Sequence, residues 1–324
     1  MSPLDLELID EAFEFLRPRI RKTPLEESRF LSDLLGVPVF LKLEFLQITG
    51  SFKVRGALFR LSRLTDQQRR AGLITCSAGN HGWAVAYAAK ILGIPATIYV
   101  PASADESKVQ GIISLGANVI RSDFPGYDAT QRLALAQAKS LDLTFVSPYD
   151  DFAIMAANGG TLAREIIEEV PSIRTFLLPV GGGGLAAGFS FYARRRLPES
   201  RFIACQHAQS AALKLSLKKG SAVTELPPIH TLAGGLEGGI GSLTFSVLKE
   251  LVERVILISE EEIRNAVEWF LTEHRYLVEP SAAVTLAACL ANRLGGVDTP
   301  VAAVLTGRNL AINDLRAILG RDSE

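Results

Sequence analysis

Short apolar runs alternate with longer amphipathic runs along much of this chain. In the first half, each of four short runs is followed by a longer one: 73–76 by 83–92, 96–100 by 106–115, 118–120 by 128–140, and 143–146 by 153–169. A second series of strand-like runs follows at 175–180, 201–205, 254–259 and 300–305. This alternation is typical of parallel sheets covered by helices. We therefore predict an α/β fold with two parallel sheets, one of them in a domain inserted into the other.

Composition and charge narrow the class of protein. The chain has 324 residues, 48% hydrophobic and 21% charged, with a formal net charge of −1. These are values of an ordinary globular protein of about two domains, with no electrostatic reason to bind nucleic acid or an anionic membrane. We expect no signal peptide at residues 1–7 and no membrane span at 176–193, which proline and glycines interrupt. Cys76, Cys205 and Cys289 lack metal-ligand spacing and fit free thiols, so we expect a cytoplasmic protein.

One lysine stands at a predicted strand-to-helix junction. Lys53 follows the strand-like run 39–44 and lies in the segment SFKVRGA (51–57), just before a helix-like stretch. A buried lysine amine with a lowered pKa can form a Schiff base with an aldehyde. The alternative is a solvated lysine at a helix start, which is the commoner arrangement for a lysine taken alone.

Three loops that follow predicted strands change that balance. The segment SAGNHG (77–82) exposes backbone N–H groups at a helix N-terminus, which suits a carboxylate or phosphate, although a tight capped turn is the alternative. The segment GGGG (181–184) suits a phosphate cradle better than a flexible hinge, and it is not a Walker loop because no Lys-Ser/Thr pair follows. Thr306, after another strand, can hydrogen-bond a ring nitrogen or cap a helix.

A Schiff-base lysine, a phosphate cradle and a hydroxyl for a ring nitrogen together make up a pyridoxal-phosphate site. With SFKVRGA, SAGNHG and GGGG in this order, the chain resembles the fold-type II pyridoxal-phosphate enzymes of the serine/threonine dehydratase and serine racemase branch. The resemblance implies a tryptophan synthase β-like architecture with pyridoxal 5′-phosphate in the cleft between two domains. These would be a large domain of residues 1–66 and 151–324 and a small inserted domain of residues 67–150. It also implies an amino-acid substrate and a homodimer.

The resemblance gives roles to particular residues around the cofactor. Lys53 would be the catalytic residue that binds the cofactor covalently, with Phe52 packed against the ring. Asn80 would bond the ring oxygen, Thr306 would meet the pyridine nitrogen, and Glu279 would lie close to the ring.

The resemblance also implies the groups that hold the two anions. The cofactor phosphate would be surrounded by four glycines: Gly181, Gly182, Gly183 and Gly184. The substrate carboxylate would be held by three residues of one loop: Ser77, Asn80 and His81.

Several positions depart from the family pattern. Related racemases have a serine where this chain has Ala78, and cation-binding members have a carboxylate where it has Gln206. We therefore expect little racemisation and no metal site, because a hard cation needs anionic oxygen ligands. The segments SPYD (147–150), ANGGT (157–161) and AGGLEGGIG (233–241) also differ from the family, so the substrate pocket is expected to differ.

From these observations we expect a β-eliminating ammonia-lyase that converts a threonine- or serine-type hydroxy amino acid to a 2-oxo acid and ammonia. A neutral hydroxyl such as that of Thr306 does not keep the ring nitrogen protonated, which favours prompt loss of the β-hydroxyl. The alternatives are an amino-acid racemase, or a dehydratase or β-replacement enzyme for an unusual hydroxy amino acid, such as a hydroxyectoine-derived or phenylserine-like one. A non-catalytic phosphometabolite-binding protein is the least favoured, because Lys53 is retained.

Overall fold

Two β-sheets organise the chain, of which the computed structural model describes residues 3–320. Within those residues the strands are β1 (Leu25–Glu27), β2 (Val39–Leu43), β3 (Leu73–Cys76), β4 (Ala96–Val100), β5 (Asn118–Arg121), β6 (Thr144–Phe145), β7 (Thr175–Pro179), β8 (Arg201–His207), β9 (Arg254–Ile258) and β10 (Val301–Leu305). A six-stranded sheet has the order β1-β2-β10-β7-β8-β9, and a four-stranded sheet has the order β5-β4-β3-β6. The α/β fold with two sheets is confirmed.

Helices connect and cover the strands. They are α1 (Leu6–Leu16), α2 (Arg29–Leu35), α3 (Lys53–Ser62), α4 (Asp66–Ala71), α5 (Asn80–Leu92), α6 (Glu106–Ser114), α7 (Tyr127–Ser140), α8 (Phe152–Met155), α9 (Thr161–Glu169), α10 (Gly184–Arg196), α11 (Ala212–Lys219), α12 (Ser242–Leu248), α13 (Glu260–His274), α14 (Pro280–Leu290) and α15 (Ile312–Leu319). Two short 3₁₀ turns lie at Glu44–Leu46 and Gly234–Leu236, and a π-helical turn, Ala156–Gly160, joins α8 to α9.

Strand pairing is parallel except at one edge. The short strand β1 runs antiparallel to β2, whereas β2, β10, β7, β8 and β9 pair in parallel, as do the strands of the four-stranded sheet. The central strands of the larger sheet are buried on both faces. In β7, Phe176 and Leu178 belong to one hydrophobic cluster and Leu177, which points the other way, belongs to another. Two covered faces explain why these strands are continuous apolar runs rather than alternating ones.

The position of the motif loops follows from this topology. Loops that leave the carboxyl ends of parallel strands gather at one edge of a sheet, which is where open α/β sheets bind ligands. The loops after β2, β7 and β10 contain Lys53, the four glycines and Thr306, and the loop after β3 in the other sheet contains Asn80. The strands of the four-stranded sheet all fall between residues 73 and 145, but the domain boundaries near 67 and 150 stay a prediction.

Candidate active site

Lys53 is the first residue of α3, and main-chain contacts attach this helix start to the end of β10. Ser51 forms an isolated antiparallel bridge with Gly307. The next N–H, that of Phe52, donates to the carbonyl oxygen of Thr306 at 3.0 Å. The segment before Lys53 and the segment after β10 are therefore held side by side. Thr306 itself is buried, and its hydroxyl stays a predicted partner of a ring nitrogen.

The amine of Lys53 lies where the two sheets meet. Its Nζ donates to the carbonyl oxygen of Pro148 at 2.8 Å and lies 5.1 Å from the centroid of the Phe52 ring. Burial lowers the pKa of Lys53 to about 8, although the nearby carboxylate of Glu279 acts in the opposite direction. An amine with such a pKa is available as a nucleophile and base close to neutral pH.

A cluster of buried charges holds the first turn of the helix that carries Lys53. The guanidinium of Arg55 is fully buried and pairs with Glu44 at 2.8 Å and with Glu165 at 2.7 Å. Glu165 also pairs with the buried Lys42 at 2.8 Å. Two positive and two negative groups therefore balance one another in the interior near the start of α3, as buried charges must.

A side chain from the π-helical turn completes this support. The N–H of Gly56 donates to Oδ1 of Asn158 at 2.8 Å, so a residue of Ala156–Gly160 satisfies a backbone donor near the start of α3. A Cβ at Gly56 would lie 2.7 Å from Asn158 Nδ2, which explains the glycine. π-helical turns occur frequently at functional sites.

The four glycines form a tightly packed turn between β7 and α10. A Cβ at Gly181 would lie 2.4 Å from the carbonyl oxygen of Gly235, and one at Gly182 would lie 2.2 Å from the ring of Tyr149. Gly183 has φ +91°, a conformation that a residue with a side chain adopts only with strain. Glycine is therefore required by the shape of this turn as well as by any ligand.

The N-terminus of α10 fits an anion such as the cofactor phosphate. No side chain within residues 3–320 caps it, since Gly183 is the N-cap. The first N–H groups of a helix, here those of Gly184, Leu185 and Ala186, have no acceptor within the helix. All three residues are buried, so these donors need a partner other than bulk water. A phosphate would satisfy them and would be favoured by the helix dipole.

The loop after β3 presents a second uncapped helix N-terminus. Oγ of Ser77 accepts the N–H of Gly79 at 3.1 Å, and α5 begins at Asn80 without a side-chain cap. A Cβ at Gly82 would lie 2.2 Å from the carbonyl oxygen of Ser77, so the loop folds closely over the first turn of the helix. Its free N–H groups suit a carboxylate, the role that the sequence predicted for this loop.

The side chain of His81 has other partners. Its Nε2 lies 3.0 Å from Oγ1 of Thr75 and 3.3 Å from the carbonyl oxygen of Val146. Burial, reinforced by the charge of Lys53, lowers the pKa of His81 to about 3, so the ring is neutral. Because Thr75 Oγ1 donates to the same carbonyl, Nε2 carries the ring proton and Nδ1 is left as an acceptor. The predicted contact with a substrate carboxylate is therefore one for the backbone N–H of His81 rather than for its ring.

Asn80 and Glu279 meet directly, and Asn309 joins them. Nδ2 of Asn80 donates to Oε1 of Glu279 at 2.6 Å, and Oδ1 of Asn80 accepts from Nδ2 of Asn309 at 2.6 Å. Burial raises the pKa of Glu279, although the Asn80 amide and the charges of Lys108 and Lys53 favour its ionised form. The N–H of Glu279 donates to the carbonyl oxygen of Gly307 at 3.0 Å, and Gly307 is bridged to Ser51 just before Lys53.

Contacts thus bring most of the predicted residues together, while their roles stay predictions. Three participants were missed: the carbonyl of Pro148, the ring of Tyr149 and the side chain of Asn309. Pro148 and Tyr149 lie in the segment 147–150, which the sequence indicated only as a departure from the family pattern. Asn309 lies three residues after Thr306, and only the meeting of three loops reveals it.

The last two residues of β8, Gln206 and His207, use their side chains in hydrogen bonds within the protein. Nε2 of Gln206 donates to the carbonyl oxygen of Val180 at 3.2 Å, and its Oε1 accepts the N–H of Lys214 at 3.1 Å. His207 bonds Glu260 at 3.0 Å through Nε2, which ties β8 to α13.

In residues 3–320, no helix is long and apolar enough to cross a membrane.

The fold is that of an α/β enzyme, and its site contains a lysine amine with a lowered pKa and two helix N-termini without side-chain caps. Residues 16–307 match the model of the pyridoxal-phosphate dependent enzyme family, and the chain belongs to that family. Its fold is the fold-type II architecture, which confirms the family and the cofactor, pyridoxal phosphate.

Three individual proteins show which members of the family this chain is similar to. The chain is 37% identical over 320 residues to an L-threonine ammonia-lyase of Geobacter sulfurreducens, which covers 97% of this chain and 78% of that protein. Maize serine racemase superposes with a TM-score of 0.90 at 30% identity, over 98% of this chain and 97% of the other. Processed threonine deaminase isoform 2 of Solanum lycopersicum gives 0.88 at 29% identity, over 98% and 95%.

Proposed function

We propose that this protein is a pyridoxal-phosphate-dependent ammonia-lyase that eliminates the β-hydroxyl of a threonine- or serine-type amino acid. The observation that carries the proposal is the Lys53 amine, whose pKa is lowered to about 8. The same chain has uncapped N-termini at α10 and α5 and belongs to a family that uses this cofactor. The relatives named threonine ammonia-lyase and threonine deaminase support this choice of reaction.

The site offers a holder for each part of the cofactor. Lys53 would hold the aldehyde end, Phe52 and Glu279 would flank the ring, and Asn80 and Thr306 would bond its polar atoms. The turn Gly181–184 and the N-terminus of α10 would hold the phosphate. When bound, the cofactor supplies an aldehyde that reacts with amines and a ring that withdraws electrons from the substrate α-carbon.

The protein groups then divide the remaining work. The N–H groups of the loop 77–82 hold the substrate carboxylate and so fix which bonds of the α-carbon face Lys53. The neutral amine of Lys53 takes the α-proton at Nζ. The α-proton and the β-hydroxyl are together lost as one water, and the released unsaturated amine then takes up one water to give a 2-oxo acid and ammonia.

Racemisation is the second candidate, because maize serine racemase is so similar in structure. It needs an acid on the face opposite Lys53, where related racemases have a hydroxyl. This chain has Ala78 there, in the half-buried loop after β3. An alanine methyl cannot deliver a proton, so elimination is favoured.

Ammonia release from a panel of hydroxy amino acids tests the proposal. We expect the purified holoenzyme to release ammonia and a 2-oxo acid from L-threonine or L-serine, and the Lys53→Ala variant to lose this activity by several orders of magnitude. A holoenzyme that releases ammonia only from bulky hydroxy amino acids would instead support the alternative of an unusual substrate. Conversion of L-serine mainly to D-serine would replace the lyase assignment.

A further inference from the structure

Three residues from different parts of the chain form a closed ring of hydrogen bonds at the candidate site. Asn80 donates to Glu279 at 2.6 Å, the backbone N–H of Asn309 donates to Oε2 of Glu279 at 3.2 Å, and Nδ2 of Asn309 donates to Asn80 at 2.6 Å. Asn80 begins α5, Glu279 is the N-cap residue of α14, and Asn309 follows β10. The ring therefore links the start of α5, the start of α14 and the loop after β10.

A backbone carbonyl fixes the direction of these bonds. Nδ2 of Asn309 also donates to the carbonyl oxygen of Thr49 at 2.9 Å. A carbonyl oxygen can only accept, so the amide of Asn309 must face Thr49 with its nitrogen. The second proton of that nitrogen then points to Asn80, which must answer with its oxygen. If the side-chain amide of Asn80 were flipped, its nitrogen would face the nitrogen of Asn309, and neither could accept a proton from the other.

The position of Asn309 is itself tightly held. A Cβ at Gly50 would lie 2.4 Å from Oδ1 of Asn309, and Gly50 has φ +74°. The N–H of Arg308 donates to the carbonyl oxygen of Gly50 at 2.9 Å. The turn that precedes Lys53 is thus packed directly on the side chain that orients Asn80.

One proton of Asn80 is left over by this arrangement. An amide nitrogen has two protons, and among the hydrogen bonds of residues 3–320 Nδ2 of Asn80 uses one, to Glu279. We propose that Asn309 is a positioning residue that fixes the Asn80 amide so that an N–H, and not the carbonyl oxygen, faces the cofactor. This inference rests on the proposed role of Asn80 at the cofactor ring.

The chemical consequence concerns the ring oxygen of the cofactor. An N–H donor stabilises that oxygen in its ionised form, whereas an amide oxygen would require it to be protonated. Asn309 would therefore affect cofactor affinity and the visible absorption of the bound cofactor, although it acts only through Asn80.

A double-mutant cycle separates this role from a merely structural one. Apo-protein is titrated with pyridoxal phosphate in the absence of substrate, for the unaltered protein, Asn80→Ala, Asn309→Ala and the double variant. The readouts are the dissociation constant and the visible absorption of the complex, with the melting temperature of each apo-protein as a check of folding. The Asn309→Asp variant is added because an aspartate of the same shape cannot donate to Asn80.

We expect Asn80→Ala to weaken cofactor binding about tenfold, the size of one lost hydrogen bond to a charged acceptor. Asn309→Ala and Asn309→Asp should each weaken binding several-fold and change the absorption, but have no further effect once Asn80 is alanine. If Asn309→Ala does not fold, the cycle with Asn309→Asp decides in the same way.

Two results would overturn the inference. One is an equal loss of affinity from Asn309→Ala with and without Asn80, which would mean that Asn309 acts through Thr49 and the turn before Lys53. The other is unchanged affinity and absorption in both Asn309 variants. Because no substrate is present, the outcome does not depend on which reaction the enzyme catalyses.

Discussion

At Lys53, burial makes a charged amine costly and thereby makes a neutral amine available. With a pKa of about 8, roughly a tenth of the amines are neutral at pH 7, against a few in ten thousand for an ordinary lysine. Because the shift is downward, the neutral fraction rises as the pH increases through about 8. The bond to the Pro148 carbonyl directs the amine without neutralising it.

Covalent labelling tests the choice of lysine. We expect borohydride reduction of the holoenzyme, followed by peptide mapping, to place the cofactor on Lys53. Lys42 is the internal comparison, because it is more deeply buried than the half-buried Lys53 but is paired with Glu165 and donates to the carbonyl oxygen of Thr23. A label on Lys42 or Lys108 would contradict the assignment.

For single residues, the sequence predicted which residue types belong to the site better than it predicted where their side chains point. Lys53 was identified because its motif and two others occur in a fixed order. His81 was predicted to help hold the substrate carboxylate, and this role stays a prediction. The direction of its ring depends on hydrogen bonds to Thr75 in β3 and to the carbonyl oxygen of Val146, just after β6. Asn309 could not be singled out, because its importance arises from contacts with residues more than two hundred positions away.

Among the elements, α3 depends most on buried charge. Replacement of Arg55 by methionine would leave Glu44 and Glu165 without their shared partner in the interior. We expect the free energy of unfolding to fall by about 3–5 kcal/mol, measured by denaturant titration of the apo-protein. Arg201 is a matched control, since it bonds both oxygens of Glu253 at 2.8 Å but near the surface. Arg201→Met should cost about 1 kcal/mol or less, and equal losses at both sites would contradict the argument.

The glycine turn permits a similar comparison. Valine at Gly182 must displace the Tyr149 ring, and valine at Gly183 must adopt an unfavourable positive φ beside Thr244. Each change should therefore weaken cofactor binding by about tenfold or more, measured by absorption titration. Gly220→Val is the control, because Gly220 has φ +75° but open space around it at the end of α11. If binding is unchanged in both loop variants, the turn is only a hinge.

Strands with apolar runs were predicted well, whereas a polar strand and an interrupted helix were not. The run 96–100 coincides with β4, and the runs 175–180 and 300–305 differ from β7 and β10 by one residue. Strand β1 was missed because it has three residues, two of them glutamates. The segment 153–169 was predicted as one helix, since a π-helical turn inside it leaves the apolar periodicity almost unchanged.

For the whole molecule, we expect the choice of reaction to depend on groups from both sheets. Lys53 follows β2 in the larger sheet, and Ala78, at the position where related racemases have a serine, follows β3 in the smaller one. Gln206 uses both ends of its amide on backbone groups. The homodimer, the two-domain boundaries and the cytoplasmic location stay predictions.

Product analysis tests the reaction and the metal prediction together. Chiral chromatography of the products from L-serine should show elimination with little D-serine, and a chelator should leave the rate unchanged. Ala78→Ser should raise the ratio of racemisation to elimination, because it restores a hydroxyl opposite Lys53. Abundant D-serine from the unaltered protein, or activity lost on chelation and restored by magnesium, would contradict the weight given to Ala78 and Gln206.

The strand order also determines when the larger sheet can form during translation. Strand β10 lies between β2 and β7 and is the last strand to be synthesised among the described residues. Until it emerges, β1 and β2 have no bond to β7, β8 and β9, so the larger sheet exists only as two halves. The smaller sheet, whose four strands are consecutive in the chain, needs nothing from that late segment. During translation, the cofactor site therefore cannot form before β10 joins the two halves, and premature termination upstream of β10 leaves the larger sheet divided.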